Sequence, residues 1–62
     1  MDELKVGDIL LISYLYNSKE EIDIMILEKI SKDKNSACLS NITTNTKITL
    51  NKEDIIMCTQ VA

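Results

Sequence analysis

The chain contains no histidine, arginine, proline, tryptophan or phenylalanine, and its one glycine is Gly7. Each absence removes a class of chemistry or structure. Without histidine, Cys38 and Cys58 are the only soft ligands, and two thiolates do not fill a tetrahedral zinc site. A thiol or hydroxyl paired with imidazole is equally out of reach. Cys38, Cys58, Ser13, Ser18 and Ser40 therefore have no histidine to activate them as nucleophiles. Two cysteines allow at most one intrachain disulfide. The opening "MDELKVGD" is acidic and too poor in apolar residues to read as a secretory segment. We therefore read both cysteines as reduced thiols of a cytoplasmic protein, filling apolar positions. No apolar run approaches the ~20 residues of a membrane span, so no membrane partner is expected.

The absence of arginine also bears on partners. Seven lysines are scattered among ten carboxylates, giving a net charge of −3. A nucleic-acid binder shows a basic stripe, commonly with arginine for bidentate phosphate contacts. Here the densest basic group, Lys32 and Lys34, has Asp33 between its members. The acidic residues are no more suggestive. Glu20, Glu21 and Asp23 cluster, as do Glu53 and Asp54, but in polar, turn-like stretches. An acid–base pair needs one member in an apolar pocket, so these read as solvated turns. "DKNSACLS" lacks the spaced oxygens and the glycine of a calcium loop. Asn41-Ile42-Thr43 matches a glycosylation sequon, which the expected cytoplasmic setting makes idle. No metal, no cofactor and no catalytic residues are expected.

What is present is aliphatic. Sixty-two residues make one small domain, 1–62, with a thin core. Such domains gain stability from disulfides, metals or oligomerisation. With few breakers, the turns fall on polar clusters: "YNSKEE", "SKDKNS", "TTNT" and "NKED". Between them lie runs rich in Ile, Leu, Val, Thr and Tyr. These predict strands near Ile9–Tyr16, Ile22–Ile30, Ser36–Ile42, Lys47–Leu50 and Ile55–Val61. Asn45 suits a left-handed turn position, making Ile42 to Leu50 a hairpin. Gly7 permits a turn before the first strand. "NKED" has length for a single 3₁₀ turn.

One segment reads two ways. In "SKEEIDIMILEKIS", Ser18 and Glu21 have capping-box spacing, and Ile22, Met25, Ile26 and Ile30 would share a helical face. That alternative makes the fold α+β, with a helix at 18–31. The strand reading aligns Ile22, Ile24, Ile26 and Ile30, and the β-branched residues favour it.

Five short strands with short connections suit a small barrel. "LKVGDILLI" resembles the opening of SH3-like barrels. "ITLNKEDIIMC" resembles their ending, a fourth strand, one 3₁₀ turn and a short fifth strand. The resemblance spans nearly the whole chain and implies an all-β, five-stranded SH3-like mini-barrel with a 3₁₀ turn before the last strand. It does not supply a function. Proline-peptide SH3 grooves and methyl-lysine cages need several aromatics, and only Tyr14 and Tyr16 exist here. Sm-like and KOW-like RNA binders use basic and aromatic residues that are equally scarce.

The surplus of apolar residues points to a partner. "DILLISYLY" is apolar on both faces: Ile9, Leu11 and Leu15 on one, Leu10, Ile12, Tyr14 and Tyr16 on the other. "IDIMILEKI" and "DIIMCTQV" repeat the pattern. Strong curvature would let both faces reach one core; otherwise the second face is an interface. We place that interface at Leu10, Ile12, Tyr14, Tyr16 and Met25, because tyrosine suits surfaces that are half apolar and half wet. The expected function is non-enzymatic protein binding, as a homo-oligomer or docked on a larger partner. Small size and mild acidity suggest a bacterial or phage accessory factor, such as an inhibitor. Abundant lysine and isoleucine without arginine suggest an A+T-rich genome. The competing class is a nucleic-acid-associated small barrel, SH3-like or Sm-like.

Overall fold

The computed structural model describes residues 4–62, so the first three residues of the expected 1–62 domain lie outside the described residues. The chain forms five strands: β1 (Ile9–Tyr16), β2 (Lys19–Ile30), β3 (Ser36–Asn41), β4 (Lys47–Asn51) and β5 (Ile55–Gln60). A single 3₁₀ turn, Lys52–Asp54, separates β4 from β5. The strands make one antiparallel sheet in the order β4-β3-β2-β1-β5. The all-β expectation, the five strands and the position of the 3₁₀ turn are as the sequence suggests.

The turns use the residues whose chemistry tolerates them. Asn17 and Ser18 both have positive φ, 52° and 65°, and bring Tyr16 opposite Lys19. This is the two-residue hairpin geometry whose twist matches that of the strands. It decides the ambiguous segment: residues 19–30 are strand, not helix. A helix N-cap needs an extended backbone, and Ser18 sits in the left-handed region instead. Asn41 caps the β3–β4 turn, its side-chain oxygen accepting the N–H groups of Thr43 (2.8 Å) and Thr44 (3.2 Å). Asn45 takes the left-handed position at φ 61°. Gly7, at φ 99°, turns the chain into β1, and its N–H donates to the Leu27 carbonyl at 2.7 Å.

A flat five-stranded sheet is ~19 Å across, four spacings of ~4.8 Å. Yet Leu50 from one edge strand packs in the same cluster as Ile55 and Cys58 from the other. The sheet therefore curls so that one face wraps a single core. That core is Leu10, Ile12, Tyr14, Met25, Leu27, Leu39 and Leu50, with Leu4, Ala37, Ile48, Ile55 and Cys58 partly buried against it.

This burial corrects the proposed docking residues. Leu10, Ile12, Tyr14 and Met25 are core, each 5 % exposed or less, and only Tyr16 lies at the surface. The physical reason is volume. A thin core needs its largest side chains inside, and Tyr14 can go in because its hydroxyl finds Asp23 at 2.6 Å.

Candidate functional site

The surplus apolar surface exists, but on the opposite face. Across the β1–β2 ladder Ile9 faces Ile26, Leu11 faces Ile24, and Ser13 faces Ile22. Across β1–β5 Leu11 faces Thr59 and Ser13 faces Met57. By strand alternation these side chains stand on the outer side of the curled sheet. Ile22 is 61 % exposed, Met57 46 % and Ile24 43 %. Ile42, just past β3, donates its N–H to the Ile24 carbonyl at 3.4 Å and is itself exposed, which widens the patch. Leu15 continues it toward the β1–β2 turn. Ser13 and Ser40, the latter opposite Ile26, are buried polar residues of this face, and the Ser13 hydroxyl donates to Glu20 Oε2 at 3.2 Å. Glu20 stands at the turn end of the β2 stripe and is exposed.

The inner face opens at one end into a cavity of about 180 Å³. Leu4, Leu27, Ile30, Ala37, Leu50 and Ile55 supply its apolar lining, with Lys34, Asn35 and Lys52 among the polar residues around it. Its walls are tied together by backbone bonds. The Lys52 N–H donates to the Asn35 carbonyl at 2.7 Å, and the Ser31 N–H to the Ser36 carbonyl at 3.0 Å. The turn carrying Lys34 is held by Asp33, whose carboxylate accepts the Ser31 hydroxyl (2.6 Å) and the Asn35 N–H (3.0 Å). Those two bonds, the hydroxyl first, pull the Asp33 carboxyl below its ordinary pKa.

The remaining titratable groups are structural in their surroundings. Burial, then the hydrogen bond to Asp23, pushes the Tyr14 phenol above its ordinary pKa. Burial likewise pushes the Cys58 thiol up, so its reactive thiolate is suppressed. Cys38 and Cys58 are free and half-buried, on β3 and β5. Of the clustered carboxylates, Glu20, Glu21 and Glu53 are exposed, while Asp23 and Asp54 are half-buried. Among the described residues no three His, Cys, Asp or Glu side chains gather as a metal site would need, and no helix is long and apolar enough to cross a membrane.

At this geometry the chain is a curled antiparallel sheet with one apolar face inside and one outside. No family model, curated protein or solved structure matches it.

Sequence reasoning missed Ile22, Ile24 and Met57 as surface, and Lys34 and Lys52 as neighbours of one cavity. A signal for the first was present. Ser13 shares the face of Ile9 and Leu11, and Glu20 shares that of Ile22, Ile24 and Ile26. A face carrying those residues tolerates water better than one of Leu10, Ile12, Met25 and Leu27. No local signal announces the second, since Lys34 and Lys52 meet only through the fold.

Proposed function

We propose that this chain is a non-enzymatic protein-binding domain that self-associates through the outer face of β2, β1 and β5. One observation carries the reading: Ile22, Ile24 and Met57 stand exposed on the two strands that flank β1, opposite Leu11 and Ser13, while the opposite face already holds the core. Covering them removes aliphatic surface from water, at ~25 cal/mol per Å². A standard interface takes ~800 Å² from each partner, roughly a sixth of the 4539 Å² this chain exposes. One face of three strands among five is of that order. A second copy is the simplest occupant because the patch is apolar rather than charged, and a two-fold axis sets like on like. A domain this small also gains most from added burial. An SH3-like mini-barrel remains our reading of the fold family, supported by the element order and the curl. A cytoplasmic bacterial or phage accessory role goes with it, supported by size and composition alone.

Sedimentation of the purified chain tests this. The expected result is a dimer or larger species that Ile24→Lys converts to a folded monomer. Ile24 is half-exposed, so the monomer loses little by the change. Met57→Lys provides a second variant should Ile24→Lys unfold. A wild-type monomer at about 1 mM, or a mass indifferent to both variants, refutes the reading. Salt-sensitive retention on DNA or RNA would replace it with the nucleic-acid class.

A further inference from the structure

We infer that the end cavity is a second docking site, which takes one aliphatic side chain from an acidic segment of a partner protein. The inference does not rest on the outer face. It rests on size and charge. Whole small-molecule ligands occupy pockets of ~300–1,000 Å³. The cavity here, at about 180 Å³, falls below that range and leaves room for one aliphatic side chain rather than a whole ligand. Protein interfaces concentrate affinity in such single-anchor pockets.

The lining then specifies the anchor and its flanks. Leu4, Leu27, Ile30, Ala37, Leu50 and Ile55 offer an aliphatic side chain no polar demand to satisfy. Lys34 and Lys52, both exposed, bring positive charge to the cavity of a chain whose net charge is −3. Asp33 adjoins Lys34, but its carboxylate is turned onto Ser31 and Asn35 inside its own turn. Glu53 and Asp54 follow Lys52 in the chain, but neither lines this cavity, so the charged side chains of its lining are the two lysines. An aliphatic residue flanked by Asp or Glu matches both the floor and the rim, and a basic segment would be repelled. The site is also held in shape before any partner arrives. Lys34 rides a hydrogen-bonded turn at φ 62°, and Lys52 is fastened to Asn35. Little ordering cost remains for binding.

The test is a two-dimensional ¹⁵N NMR titration of the full chain with the peptide acetyl-EELEE-amide, repeated in the Ile24→Lys background. Saturable shifts are expected at Ala37, Leu50, Lys52 and Ile55, the same in both backgrounds, which separates this site from the self-association face. Acetyl-EEAEE-amide should bind about tenfold more weakly for want of the anchor. Acetyl-KKLKK-amide and the Lys34→Glu/Lys52→Glu variant should each lose about tenfold or more. Should that variant unfold, Lys34→Asn removes one charge with a residue that accepts positive φ, and a severalfold loss is expected.

Four results overturn the assignment. They are no saturable shift at about 1 mM peptide, equal binding of the alanine or lysine peptides, shifts confined to Ile22, Ile24 and Met57, or 4-methylpentanoate binding as tightly as the peptide. The last would make the cavity a small-acid site.

Discussion

Tyr14→Phe separates the two roles the residue can have, since a surface tyrosine and a core tyrosine respond differently to losing one oxygen. The ring is buried and its hydroxyl donates to Asp23 Oδ2 at 2.6 Å. A hydrogen bond to a charged acceptor is worth ~1.5–3 kcal/mol when both sides are desolvated. Asp23 is half-buried and recovers water when the hydroxyl goes, so about 1–2 kcal/mol is the working figure. For 62 residues, total stability is ~3–9 kcal/mol at the usual ~0.05–0.15 per residue. With a urea m-value of ~1 kcal/mol/M, the midpoint should fall by about 1–2 M. Tyr16→Phe, at an exposed position, should stay within about 0.5 kcal/mol. An alkaline arm adds a second readout. Burial and Asp23 raise the folded phenol pKa above its ordinary value of 10.0. Above that pH the unfolded chain ionises Tyr14 while the folded chain keeps it neutral. Stability contributed below pH 10 is therefore lost as pH climbs toward the folded pKa. The loss should be detectable at pH 11, and it should be absent in Tyr14→Phe. Urea denaturation followed by circular dichroism at pH 8 and pH 11 measures both. A Phe variant as stable as wild type at pH 8, with the same alkaline loss, would remove Tyr14 from the core account.

Two further outcomes test the turns. Ser18 holds φ 65° with a β-carbon, so Ser18→Gly, which creates the favoured Asn-Gly pair, should stabilise by about 0.5–1 kcal/mol in thermal denaturation; destabilisation would contradict the assigned turn. The Asp33 carboxylate is favoured in the folded turn, so its hydrogen bonds persist above the ordinary carboxyl pKa of 3.8 and are lost as pH falls through the lowered folded value. Hydrogen exchange at the Asn35 amide, corrected for intrinsic rates, should accelerate over that acid range in wild type and show no such step in Asp33→Asn.

Most of the architecture was legible because turn chemistry is local. Asn17–Ser18, Asn45 and Gly7 mark bends by their own conformational preferences, and the apolar runs between them are too β-branched for helix. The Ser18–Glu21 spacing misled only as an alternative, since a capping box needs a backbone that the hairpin turn denies it. The candidate site was half legible. That β1 and β2 carry more apolar residues than one core absorbs follows from composition and period. Which face turns inward does not, because Leu10 and Leu11, or Met25 and Ile24, differ little in transfer energy. The choice is made by shape, through Tyr14 reaching Asp23 and Leu39 and Leu50 arriving from distant strands. The cavity between Leu4, the Asp33 turn and Ile55 depends on pairings that span the chain, so no window of sequence contains it.

That near-equality of faces creates a problem the structure must solve. A slip of one residue between β1 and β2 would exchange Leu10 and Ile12 for Ile9 and Leu11 in the core at little hydrophobic cost. Burial alone therefore does not set the register. The polar residues do. The Asn17–Ser18 turn fixes Tyr16 opposite Lys19. Tyr14 to Asp23 on the inner face and Ser13 to Glu20 on the outer are both side-chain bonds between β1 and β2, and a slip breaks both. Irregularities between Ser13 and Tyr14 opposite β5, and between Leu27 and Lys29 opposite β3, punctuate the other ladders where uniform strands would slide. The few polar side chains inside these strands thus have a structural task that the aliphatic ones cannot perform. They select one of two similarly apolar faces as the core, and in doing so they leave the isoleucine face outside.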